Sequence, residues 1–355
     1  MTAAEATYQS AQPSLKIGDQ RQERLEAGLL RLEVREQISG LCRLEATFGN
    51  WGEQGGRVDY LHFGHTLELG QRLSLSMAGG LQFEGRVSAL EASYPRGEAP
   101  TFTVLAEDRF QDLRMTRRTR SFEKLSDEDL VRRLASDHGL SADVALPGPV
   151  YRVLAQVNQS DLAFLRERAR AAGAELWLSG STLHVKARSD RGAPSLELTY
   201  PGRLQEFTVL ADLAEQASRV VVGGWDVAGK RAISKEAGPA LLQGELGRDR
   251  SGAAWLKQAF GERVQTLAHV QPLTADEAQV QANSTYQTLA RRFVVGQGVA
   301  DPDARLRVGT ALTLKGLGPL FSGRYGVIQT VYRFDRLLGS RSEFTAERPG
   351  LGQLQ

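Results

Sequence analysis

From Leu29 onward the chain alternates apolar and polar residues in short runs: LLRLEVRE, LCRLEATFG, HTLELGQRLSLSM, LQFEGRVSALEASY and PTFTVLAED, separated by Gly, Pro or Asn. A period of two puts every second side chain on one face, so these runs predict half-buried strands of a β domain ending near Leu113. Between about 121 and 190 the period changes. Ser126 stands as an N-cap before Asp127, Glu128 and Asp129, Gly139 is a stop, and Leu130, Val131 and Leu134 make the apolar stripe of a helix. Ser160, Leu162, Leu165, Ala169 and Gly173 repeat the arrangement for a second helix. AELWLSGSTLHVKA then predicts a hairpin turning at Ser179-Gly180-Ser181, with Trp177 as a buried anchor of a small α+β unit. The period of two returns in LQEFTVLADL and ASRVVVGGWDV. A helical stretch over about 251–291, with Thr274 and Glu277 in capping-box spacing, interrupts it, and strands resume at Arg292 and run to Phe344.

The first and last β regions resemble each other. Leu67-Glu68-Leu69-Gly70, Leu73-Ser74-Leu75 and Phe83-Glu84-Gly85-Arg86 find counterparts, in the same order and at nearly the same spacing, in Leu306-Arg307-Val308-Gly309, Leu312-Thr313-Leu314 and Phe321-Ser322-Gly323-Arg324. Amphipathic hairpins look alike through alternation alone, but a Gly between an aromatic residue and an Arg marks a bulge or a close backbone approach, and both regions carry one. A weaker alignment sets RLEVREQISGLCRLEATFGNW beside EFTVLADLAEQASRVVVGGWD, ending at Trp51 and Trp225. The expected architecture is mainly β with α+β insertions: two tube-like β barrels related by an internal repeat, a small α+β domain and a helical insert. Its expected boundaries are a flexible tail at 1–14, the first barrel at 15–115, the α+β domain at 116–195, the second barrel at 196–232 and 292–350, the partly helical insert at 233–291 and a tail at 351–355.

On AEDRFQDLRMTRRTRSFEKLSDEDLVRRLASDHGL, QVNQSDLAFLRERARAAGAELWL and YRFDRLLGSRSEFTAERPG, the chain resembles the baseplate hub proteins of contractile phage tails, the late-control gene D proteins, and the N-terminal hub region of VgrG spike proteins. The resemblance spans roughly residues 29–350. It implies a homotrimer in which each subunit supplies two tube-like barrels, a pseudo-sixfold adaptor between a hexameric inner tube and a trimeric spike, with other baseplate proteins around it. No OB-fold or β-helical repeat follows, so the spike is expected to be a separate protein. The family features that carry over are not catalytic. A second reading, a cell-wall binding or lytic tail component, rests on a loose likeness of residues 121–190 to a LysM-type module.

Composition narrows the picture further. A length of 355 residues suggests two or three domains. Lys and Arg number 44 against 42 Asp and Glu, too even a balance for the field that draws a protein to nucleic acid or membrane, so neither specific nucleic-acid binding nor membrane insertion is expected. The start has neither a basic nor an apolar leader segment, which predicts assembly in the cytoplasm into a tail or particle baseplate. Cys42, with no Lys or His beside it, reads as a small strand or core residue. Gly229-Lys230-Arg231 lacks the spacing of a phosphate loop, Gly296-Gln297-Gly298 reads as a loop, and His62 with His65 lacks a third metal ligand nearby. Asp127, Glu128 and Asp129 are accounted for by the helix dipole. No catalytic residue, cofactor or metal is expected. Arg114, Arg117, Arg118 and Arg120 form the one dense basic segment. It lacks the interleaved aromatics of a nucleic-acid site and reads as a solvated strand, to which the resemblance adds a role at a channel lumen or subunit contact.

Overall fold

The computed structural model of the chain describes residues 12–353 other than 39, 55, 62–66, 78–79, 147, 193, 228, 269, 271 and 273. The N-terminal region forms β1 (Ser14–Ile17), β2 (Leu29–Gln37), β3 (Arg43–Gly49), β4 (Arg72–Met77), β5 (Gly80–Ser93) and β6 (Thr101–Glu107). Alternate side chains share one core: Leu32 and Val34, Leu44 and Ala46, Leu73 and Leu75, Val104 and Ala106.

A second core lies under α1 (Phe110–Met115), β7 (Arg117–Leu125), α2 (Asp127–Asp137), β8 (Ser141–Val144), β9 (Tyr151–Ser160), α3 (Asp161–Ala171), β10 (Glu175–Ser179) and β11 (Thr182–Lys186). Both expected caps are made: the Ser126 hydroxyl accepts from the Asp129 N–H and the Ser160 hydroxyl from the Ala163 N–H, each satisfying an orphaned donor of the first turn.

The C-terminal part contributes, besides short helical turns such as Gly318–Phe321, β12 (Ser195–Thr199), β13 (Leu204–Ala211), β14 (Arg219–Asp226), β15 (Arg231–Ala237), α4 (Gly252–Phe260), β16 (Val264–Leu267), α5 (Ala275–Arg291), β17 (Val294–Ala300), β18 (Ala311–Lys315), β19 (Gly323–Asp335) and β20 (Gly339–Arg348). Two expectations change here. β14 pairs with β15 and β16 in a sheet of its own, and Val220 and Val222 pack against Ala278, Ala282 and Tyr286. ASRVVVGGWDV therefore joins the insert, and Trp225 has no structural match to Trp51. Gly296-Gln297-Gly298 is strand, not loop: any side chain on Gly296 would collide with the Phe207 ring, and one on Gly298 with the Phe344 ring, so the two glycines let these rings stack at 6.1 Å.

One sheet runs through both β regions in the order β13-β17-β20-β19-β2-β3-β6-β5-β4-β1, with β18 between β12 and β19. Among the described residues no ladder closes it, so neither expected barrel is a closed ring of hydrogen bonds. Within the sheet, β4-β5-β6-β3-β2 and β18-β19-β20-β17-β13 follow the same order. Leu73 faces Gly85 and Leu312 faces Tyr325, so Gly85 corresponds to Tyr325 rather than to Gly323. The two Phe-x-Gly-Arg steps that suggested the repeat are thus out of register, while the pairing around them matches: Arg86 with Gly326, Glu107 with Glu347, the bulge at Ser88 with that at Ile328, and the bulge at Leu30 with that at Gln205. A side chain on Gly85 would strike the Glu107 carbonyl, which is the close backbone approach expected of that residue.

Candidate functional site

The N-terminal β region, the α+β module and the C-terminal β region meet around a cleft of about 840 Å3. Asp108 organises its floor. One carboxylate oxygen accepts from the Cys42 N–H at 2.8 Å and the other from the Phe110 N–H at 3.0 Å, tying the chain ahead of β3 to the start of α1. Burial pushes the Asp108 carboxyl up to about 7; the two N–H bonds oppose the shift, and Glu36 and Glu107 add to it. Cys42 is half-buried against the first core, as its small-residue reading expected, and burial holds its thiol well above the ordinary value. From the C-terminal region Arg307 reaches Glu36 at 2.7 Å. Burial works against the charge on Arg307, and Glu36 more than offsets it, holding the guanidinium above its ordinary value.

Trp177 is not the buried anchor expected of it. It is half-buried and lines the cleft, with the His184 ring stacked at 4.9 Å and the Arg191 guanidinium at 4.6 Å from the ring centre. Leu176, Leu183 and Val185 do the anchoring instead, all buried in the second core.

The arginine segment runs from the last turn of α1 into β7, and most of it turns inward. Arg114 pairs with the buried Glu107. Arg118 approaches Asp161 at 3.2 Å, and Arg120 reaches Asp161 at 3.3 Å, Asp137 at 2.9 Å and the Gln156 amide oxygen at 3.0 Å. Asp161 is wholly buried and also meets His138 Nε2 and the Gln156 amide, both at 2.8 Å. Only Arg117 makes no such pair; it donates to the Asn158 carbonyl at 2.6 Å and is exposed. Sequence alone missed this because Asp161 opens a helix 41 positions from Arg120.

Asp127, beyond its helix-dipole position, is clamped by Arg168 at 2.6 and 2.9 Å. His62, His65 and His269 lie outside the described residues, and His184 pairs with Asp143 at 2.9 Å. Among the described residues no three His, Cys, Asp or Glu side chains gather as metal ligands, and no helix is long and apolar enough to cross a membrane. Gly229-Lys230-Arg231 forms a turn after β14, with the Gly229 N–H donating to Asp226 at 2.8 Å.

Sequence missed Asp108, Gln82 and Arg307 as cleft residues. Asp108 had a local signal, an acid in the two-residue turn between a strand and a helix, whereas Arg307 had none. Similar architectures occur among solved structures. The 43 kDa tail protein of prophage MuSo2 from Shewanella oneidensis is 15% identical, covers 96% of this chain and 98% of its own, and superposes with a TM-score of 0.68. A tail protein from Neisseria meningitidis MC58 is 10% identical with the same coverage, 96% and 98%, and the same TM-score, 0.68. The E. coli c3393 protein, a type VI secretion component with structural similarity to T4 bacteriophage tail proteins gp27 and gp5, is 13% identical over 96% of this chain and 79% of its own, with a TM-score of 0.58. These likenesses show that the chain shares its fold with these proteins, as the resemblance read from the sequence implied. No curated protein matches the chain. The family model of the Alg8 N-terminal domain matches residues 80–333, well over half of the sequence, and the chain belongs to that family.

Proposed function

We propose that the chain is the structural hub of a phage-tail or contractile-injection baseplate, a homotrimer that adapts a hexameric inner tube to a trimeric spike. The observation that carries this reading is a matched pair of free strand edges. Inside the chain, the two five-stranded sets join where β2 pairs with residues 329–335 of β19. At the corresponding places, among the described residues, residues 88–93 of β5 have only β6 beside them and β13 has only β17. Leu90, Tyr94 and Leu210, on or next to these edges, are 37%, 57% and 64% exposed. An unpaired edge of this length is a template for another chain. Carrying the β2–β19 register over to the free edges sets Ala211 of one subunit opposite Leu90 of the next, and Val209 opposite Ala92. A head-to-tail contact of this kind builds a ring, and three chains with two sets each present six to the tube. The number three comes from the resemblance to hub proteins.

In this reading residues 15–115, and 196–218 with 292–350, form the two tube-like barrels as each set curls within the ring. Residues 116–195 form the α+β module between them, and 219–291 the insert outside the ring. Arg117 keeps the expected place at a lumen or subunit contact. The reading assigns the chain no catalysis and no cofactor.

The test is a cross-link. Leu90→Cys with Ala211→Cys, oxidised mildly, is expected to give a covalent trimer on a non-reducing gel, since directly opposed strand residues lie within about 5.5 Å of each other. Either single variant is expected to stay uncross-linked. A double variant that also stays monomeric, or that ladders into open polymers, overturns the ring.

A further inference from the structure

The central cleft is lined by charged side chains of both signs. Five arginines line it, Arg72, Arg86, Arg109, Arg191 and Arg307, against the acids Glu36, Glu84 and Asp108. Arg72 is matched by Glu84 at 2.8 Å, Arg307 by Glu36 and Arg191 by Glu175 at 3.0 Å. Arg86 makes a longer ion pair, and Arg109 makes none among the described residues. Arg86 comes no closer than 3.7 Å to Asp112, and Arg109 donates to the carbonyl oxygens of His138 and Gly139.

A second, independent observation points to the same space. Gln82 is the extra residue of the β4–β5 bulge, where Leu75 faces Phe83 and Ser76 faces Leu81. A bulge re-aims a side chain. Gln82 lines the cleft and also a small pocket behind it, is 5% exposed, and its buried amide nitrogen has no hydrogen-bond partner. A buried donor left unpaired is costly, so a built-in one marks a place for an acceptor.

We propose that this cleft binds an extended acidic segment of a partner protein, whose carboxylates meet Arg86 and Arg109 and whose backbone carbonyl accepts from the Gln82 amide. The volume lies in the upper range of ligand pockets, far more than a lone phosphate fills. A nucleotide is disfavoured because the aromatic rings of the lining are already engaged: Trp177 has His184 stacked on it and the Arg191 guanidinium against its ring, and Phe83 and Phe110 are buried. The inference goes beyond the hub reading and does not need the ring, because every residue it uses belongs to one chain.

Fluorescence anisotropy with a labelled, capped heptapeptide of alternating Glu and Leu tests it, beside the same peptide with Lys for Glu and a dT oligomer of equal charge. Saturable binding of the Glu peptide is expected, with the Lys peptide and the dT oligomer each about tenfold weaker or more, as loss of a charge-assisted hydrogen bond implies. Arg86→Glu, a change at an exposed side chain, is expected to weaken the Glu peptide about tenfold, and the near-isosteric Gln82→Met about threefold. No saturable binding, equal binding of the dT oligomer, or an affinity unchanged by both variants would each overturn the proposal. These outcomes are read on the uncross-linked chain and so stand apart from the fate of the trimer.

Discussion

Glu107 and Glu347 hold the same place in the two strand sets, each buried near the end of the strand that pairs with the bulged one, yet they are neutralised differently. Glu107 pairs with Arg43 at 2.8 Å and with Arg114, both about half exposed. Glu347 takes Arg188 at 2.6 Å, a guanidinium shared with Glu175 and mostly buried. Burial opposes the charge on Arg188, and Glu175 and Glu347 more than offset it, holding it above its ordinary value. Arg114 stands just ahead of the α+β module and Arg188 near its end, so the paired glutamates hold both borders of that module to the two sets.

The difference in solvent exposure sets the expected cost of breaking each clamp. Glu347→Gln leaves Arg188 with a buried, half-matched charge and is expected to cost about 3 kcal/mol. In Glu107→Gln both arginines can turn to water, and the expected cost is about 1–2 kcal/mol. Urea unfolding of the two variants checks the order.

Asp161→Asn keeps the shape of the side chain and removes the charge that Arg118 and Arg120 share. Breaking a buried ion pair from one side is expected to cost about 3 kcal/mol. Calorimetry on this variant and on Arg117→Ala separates the inward arginines from the outward one: the first lowers the melting temperature by several degrees, and the second leaves it unchanged.

Stability should also depend on pH through Asp108. Its carboxyl titrates near 7 when folded, against an ordinary 3.8, so between those values the folded chain holds a proton that the unfolded chain has lost. The contribution is full below about pH 4 and is lost as pH rises through 7, with an upper bound of roughly 4 kcal/mol at 1.36 kcal/mol per pH unit. The expected result is a urea midpoint that falls from pH 5 to pH 8 in the native chain and falls less in Asp108→Asn. Equal slopes would remove Asp108 as the cause.

Local chemistry was legible in the sequence, and pairing between distant segments was not. Ser126, Ser160 and Thr274 announce their helices because a cap is a contact over three residues. The alternation around Leu73 and Leu312 likewise marked strands. Phe-x-Gly-Arg misled because register is fixed by the partner strand: Phe83 faces Leu75 inside a strand, whereas Phe321 ends a short helix before β19. β14 alternates like a strand of the main sheet, but Val220 and Val222 found their cover in α5, which follows some fifty residues later. The cleft was hidden for the same reason, since Arg307 and Glu36 meet across 271 positions.

Cryo-electron microscopy of the chain assembled with its tube and spike tests the hub reading most directly. The account predicts three copies around one axis, β13 of each copy paired with residues 88–93 of the next, and both strand sets of every chain facing the channel. A stoichiometry other than three, or a ring in which only one set of each chain lines the channel, would contradict it.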